Sequence, residues 1–146
     1  MSLAEMLCMA YVSLALPNAD VACENMETIV DASFHEDVDP TTMVALIFVE
    51  SRFGKKLTCK QLYNPETSIK RGTKILGYFL DRYNDNYKRS LCSYNAGWSR
   101  CRKRNGTHKG YRYAKKVMKL AKRIDREVAK IQSDDLGYVD VPGCYE

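Results

Sequence analysis

The chain has 146 residues, 45% hydrophobic and 28% charged, with a formal net charge of +5. That length suits one domain with a core and is short for two, and the proportions are ordinary for a globular protein. No stretch reaches the roughly 20 apolar residues that a membrane-spanning helix needs, so no transmembrane segment is expected.

The first nineteen residues, MSLAEMLCMAYVSLALPNA, have an apolar run of about signal-peptide length. Glu5 interrupts it, no Lys or Arg precedes it and the cleavage pattern is poor. Residues 1–22 therefore read as a first helix ending near Pro17, with an atypical export segment as the alternative. Cys23 to Phe34 places Met26, Ile29, Val30 and Ser33 on one helical face. Asp39-Pro40 is an N-cap followed by proline at the first helical position, predicting a helix over 40–52.

Asn64-Pro65 is a second such start, followed by Ile69, Thr73, Leu76, Leu80 and Tyr83 at steps of four, three, four and three. Residues 110–132 space Val117, Ala121, Ile124, Val128 and Ile131 by fours and threes, with lysines and arginines between them. Loops are expected at 53–63, 84–88 and 102–110. Residues 133–146, with Gly, Pro and acids, read as an extended tail. No sustained period-two alternation marks a strand, so the fold class is mainly α, one domain of five or six helices.

Charge is uneven along this chain. Residues 99–130 hold thirteen Lys/Arg against two acids, a net of +11, while 1–98 carry −2 and 131–146 carry −4. Most of these cations suit a solvated helix face, but together they attract polyanions. No helix-turn-helix or zinc-finger spacing accompanies them, so a nucleic-acid partner is not expected.

Six cysteines (Cys8, Cys23, Cys59, Cys92, Cys101, Cys144) allow 15 pairings, among which sequence cannot choose. No C-x-x-C occurs, and His35 and His108 lie far from any cysteine pair, so no zinc site is expected. Disulfides in an oxidising compartment are the better reading, with buried thiols as the alternative.

Glu50 is the residue that most asks for an explanation. It directly follows MVALIFV, the most hydrophobic run in the chain, and stands with Met43, Leu46 and Ile47 at i, i+3, i+4 and i+7. A carboxyl pressed against apolar side chains loses solvation of its charged form, which favours the neutral acid that general-acid catalysis requires. The sequence thus predicts a proton donor shielded by its own helix.

Four patterns stand in order: ALIFVESRF (45–53), NPETSIKRGTKILGYFLDRY (64–83), LCSYNAGW (91–98) and YRYAKKV (111–117). Over residues 23–130 they resemble the lysozyme-like lytic transglycosylases of the soluble lytic transglycosylase type, related in fold to goose-type lysozyme. The resemblance implies a single lysozyme-like helical domain spanning 1–146. It also implies an enzyme cutting the β-1,4 bond between N-acetylmuramic acid and N-acetylglucosamine.

On this resemblance Glu50 is the catalytic acid/base. Ser51, Tyr94, Asn95 and Tyr113 contact substrate or the acid. Singly each has a plainer reading: Ser51 ends a helix, Tyr94 fills core, Asn95-Ala96-Gly97 makes a turn, and Tyr113 is one of ten tyrosines. The family's Gly-Leu-Met-Gln block is absent, and Gln61 is the candidate to replace its glutamine.

The implied chemistry needs no metal or cofactor. Its products are 1,6-anhydro-muramyl ends, with hydrolysis by a muramidase and a non-catalytic glycan-binding module as alternatives. A hydrolase would need a second acid, for which Asp37, Asp39, Glu66, Asp81 and Asp85 are candidates. Expected partners are peptidoglycan glycan strands and the anionic wall surface, and a monomer is expected. The expected place of action is the cell wall, for a secreted, periplasmic or virion-associated protein. Trp98, the sole tryptophan, is expected to pack in the core, with stacking on a sugar ring as the alternative.

Overall fold

The computed structural model describes residues 1–54, 64–101 and 109–144, the last ten of these by backbone alone. Among them are seven α-helices and one 3-10 turn, and no strand, in agreement with the mainly-α expectation. The helices are α1 (Leu3–Ser13), α2 (Ala19–Glu24), α3 (Met26–His35), α4 (Pro40–Ser51), α5 (Pro65–Arg82), α6 (Tyr87–Ala96) and α7 (Lys109–Cys144). The 3-10 turn, Trp98–Cys101, follows α6.

Most starts are made by short polar caps. Ser2, Asp39, Asn64 and Asn86 each accept a hydrogen bond from a backbone N–H in the first turn of the helix that follows. Pro40 and Pro65 occupy first helical positions, where a missing N–H costs nothing. Asn86, the last residue of Asn-Asp-Asn and expected within a loop over 84–88, is the cap of α6. Asn84 and Asp85 take left-handed conformations that turn the chain into it.

Two boundaries differ from the sequence-based expectation. The helix expected over Cys23–Phe34 is two, joined at Asn25, whose side chain donates to the Val21 carbonyl. That bond competes with helix propagation. The last helix does not stop near 132 but continues to Cys144, where an extended tail was expected. Propagation adds a backbone bond for each residue fixed, and the glycines and proline fall near its end, where little helix remains to be broken. Between Phe53 and Asn64, residues 55–63 lie outside those described.

α7 is the element against which α1, α4 and α6 pack, while α5 packs on α3 and α6. Its inward stripe is Ala114, Val117, Leu120, Ala121, Ile124 and Val128, all buried, at the expected spacing. Met43 to Leu46 of α4 and Leu7, Ala10 and Tyr11 of α1 complete the core around it. Cys8–Cys23 links α1 to α2, so the first helix is integral to the fold.

Candidate active site

The end of α4 sets the site. Arg52 and Phe53 both take left-handed conformations, φ 54° and 55°, immediately after Ser51. Such strain in non-glycine residues persists only where surrounding contacts over-determine it. Here the Asn18 side chain donates to the Arg52 carbonyl at 3.0 Å. The reversal also drives Phe53 back into the core, 4% exposed and edge-on to Tyr11 at 5.5 Å. The Phe of Glu-Ser-x-Phe is thus the anchor that holds the last turn of α4 in place.

That turn forms one wall of a cleft of about 340 Å³. α4 contributes Met43, Leu46, Ile47, Glu50 and Ser51, and α5 contributes Pro65, Ser68, Ile69 and Gly72 opposite. Val21, Asn25, Phe53 and Tyr94 complete the lining. The floor is apolar and the polar groups are few, as in a site that orients a ligand with a handful of hydrogen bonds. Among the described lining residues Glu50 is the only carboxylate.

Glu50 differs from its sequence-based expectation in one respect. Its helix does not shield it: Met43 and Leu46 are buried, Ile47 is half-buried, and Glu50 itself is exposed. The stripe runs off the end of the core, and its last member faces the open cleft. What holds the carboxylate is a polar contact instead. Tyr113 on α7 donates from its hydroxyl to Glu50 Oε1 at 2.8 Å.

Burial, the neighbouring Glu50 charge and this hydrogen bond together hold the Tyr113 phenol well above the ordinary tyrosine range. Tyr113 therefore remains a donor at any working pH. It leaves Oε2 for another partner.

Tyr94 of α6 is half-buried in the cleft wall, pushed up to about 12 by burial and by the Glu50 charge. Its hydroxyl lies against Gly72, where a Cβ would come within 3.1 Å of it. The pattern over 64–83 contains Gly72 but nothing in it marks the glycine as part of the cleft. Pairing it with Tyr94 requires knowing how α5 and α6 pack.

The remaining candidates fare unevenly. Ser51 lines the cleft, but its hydroxyl donates to the Ile47 carbonyl at 3.0 Å and accepts from Phe53 N at 3.3 Å. It acts as a helix-end residue. Asn95 is exposed and is not part of the cleft lining, because one residue along a helix turns the side chain by about 100° from Tyr94. Gln61 lies outside the described residues. Trp98, expected in the core, is 47% exposed.

None of the candidate second acids lines this cleft. Asp39 caps α4 at its far end, accepting from Thr42 N and Oγ1. Glu66 pairs with Lys70 at 2.7 Å on the surface. Asp37, Asp81 and Asp85 line a separate hollow beside Gly77 and Tyr78. Among the described residues no His, Cys, Asp or Glu group could hold a metal ion.

The Tyr-Asn-Ala-Gly turn is stapled. Gly97 has φ 90°, a conformation that L side chains rarely adopt, and it lets the chain leave α6 at once. Cys92–Cys101 then ties the 3-10 turn back to α6. The Cys101 carbonyl also accepts from Arg89 Nε at 3.0 Å and from the Tyr111 hydroxyl at 3.4 Å.

Residues 54–117 match the family model described as the transglycosylase SLT domain. No curated protein and no solved structure matches the chain. The matched stretch contains Gly72, Tyr94, Asn95 and Tyr113 and begins after Glu50, whose place in the site rests on its own geometry and motif. Over this stretch the chain is recognised as similar to the lysozyme-like lytic transglycosylases, a family of peptidoglycan-acting enzymes.

Proposed function

We propose that the protein is a peptidoglycan lytic transglycosylase in which Glu50 serves as both acid and base. The observation that carries this reading is a lone cleft carboxylate with one oxygen held by Tyr113 at 2.8 Å and the other left for substrate. The free protein leaves Glu50 open to water, so the glycan strand itself excludes water when it fills the cleft.

The proton of Glu50 passes to the glycosidic oxygen as the bond from the muramyl C1 breaks. The substrate's own N-acetyl oxygen stabilises the developing cation, doing the work that a second carboxylate does in most glycosidases. Glu50, now a carboxylate, takes the proton of the C6 hydroxyl, and O6 closes on C1 to give the 1,6-anhydro ring. Tyr113 holds the carboxylate in one orientation through both proton transfers, and Tyr94 packs beside it. Hydrolysis would instead need a second acid to hold a water, and no such acid lines the described cleft.

The two disulfides suit an oxidising compartment. They fit action at the cell wall by a secreted, periplasmic or virion-associated protein.

The test is a comparison of wild type with Glu50→Gln on purified peptidoglycan, with mass spectrometry of the products. General acid–base catalysis contributes about 10²–10⁴-fold, so turnover should fall by that factor. Anhydro-muramyl ends, lighter by one water than reducing ends, are the expected product. Reducing ends alone would make the protein a muramidase, equal clearing by both proteins would remove Glu50 from the mechanism, and binding without products from either would leave a glycan-binding module.

A further inference from the structure

The cleft-lining face of α5 does not end at Gly72. Stepping by three, four and three residues along the same face gives Ile75, Phe79 and Arg82, about 15 Å farther along the helix. Ile75 is 39% exposed, and Arg82 is exposed too. At the end of this ridge the Arg82 guanidinium lies over the Trp98 ring, 5.6 Å from its centroid, and donates to the Tyr78 hydroxyl at 3.4 Å. A cation within 6 Å of an indole face is attracted by the ring's quadrupole, so Arg82 holds the ring from one side.

Trp98 is also held through its backbone. It sits directly after Gly97, in the 3-10 turn fixed by Cys92–Cys101 and by the two hydrogen bonds to the Cys101 carbonyl. A large apolar ring half open to water, on a turn cross-linked to the helix that carries Tyr94, is preorganised for a flat apolar ligand face.

We propose that Trp98, backed by Arg82, is a second saccharide platform that stacks an N-acetylated pyranose ring of the strand whose bond is cut at Glu50. The apolar C–H face of a pyranose buries against an indole as other apolar surfaces do. Arg82 stands on the same helix as the cleft wall, about 15 Å beyond Gly72. The choice of a glycan strand as occupant rests on the function proposed above. The platform would set a preference for longer strands, a property the cleft alone does not supply.

Trp98 is the only tryptophan, so intrinsic indole emission reports this one ring. The full chain with its disulfides intact and Glu50→Gln is titrated with N-acetylglucosamine oligomers of increasing length. A saturable change in emission is expected, weakened several-fold by Arg82→Ala. In an otherwise wild-type chain, Trp98→Ala should raise KM for glycan strands several-fold, and Trp98→Phe, which keeps a stacking ring, should recover most of that loss.

Emission that stays unmoved while calorimetry detects bound oligomer overturns the platform, as does the absence of any oligomer binding. The two readings separate cleanly. If wild type cleaves peptidoglycan and the emission is silent, the platform alone falls; if the emission responds and no strand is cleaved, the enzyme reading alone falls.

Discussion

The hydroxyl of Tyr113 meets Oε1 of Glu50 at 2.8 Å across 63 positions of sequence, bringing the last turn of α4 against the first turns of α7. This contact, rather than an apolar shield, fixes the carboxylate. Removing the hydroxyl with Tyr113→Phe leaves the ring to fill its half-buried place, so the fold should persist. Turnover of peptidoglycan should drop about tenfold, the scale of one hydrogen bond to a charged group that is partly open to water. Single-turnover rates beside a thermal melt measure both halves of this prediction.

Gly72→Ala separates stability from activity. Alanine favours a helix interior over glycine by up to about 1 kcal/mol. The added Cβ, however, would come within 3.1 Å of the Tyr94 hydroxyl, so that side chain must move by a few tenths of an ångström. The expected outcome is a melting temperature that does not fall and a several-fold loss of turnover. Combined with Tyr94→Phe, which deletes the crowded atom, the two changes should be non-additive.

Alkaline pH should unfold the protein through its tyrosines. Tyr11 and Tyr94 are pushed up to about 12 by burial, and Tyr113 is held higher still. In the unfolded chain these phenols titrate near 10. Each folded-state value lies above its unfolded one, so the stabilisation is complete below pH 10 and is lost as pH rises from 10 through 12. Burial also raises Tyr87 and Tyr111, so phenolate absorbance should show five of the ten tyrosines titrating late, Tyr11, Tyr94 and Tyr113 together with loss of helical circular dichroism.

The outer face of α7 carries exposed Lys115, Lys116, Lys119, Lys122, Arg123 and Arg126. If these steer the protein to an anionic wall, clearing of cell-wall suspensions should slow as salt rises past 0.1 M, where screening acts over about 10 Å. Lys115→Glu with Lys119→Glu should lower the rate at low salt and flatten the salt dependence. Cleavage of short uncharged oligosaccharides by the same variant should hold steady.

The helical character of the molecule was readable because it is a local property. Val117, Ala121, Ile124 and Val128 recur at the period of one helix face, and all four are buried. Asp39-Pro40 and Asn64-Pro65 marked two helix starts, since a cap needs only a side chain and the N–H groups just after it. That Glu50 extends the stripe of Met43, Leu46 and Ile47 was legible in the same way, and it lines the cleft with them, although its exposure was not foreseen.

What surrounds Glu50 was a matter of packing between elements far apart in the chain. Tyr113 is paired with it, Asn95 turns away from the cleft, Ser51 spends its hydroxyl on its own helix, and Trp98 lies outside the core. The choice of Cys8–Cys23 and Cys92–Cys101 among the possible pairings was settled in the same way. Periodicity tells which side of a helix turns inward, because that depends on residues three and four apart. Which side chains then meet depends on how helices cross and where each one stops, and only the assembled core decides that.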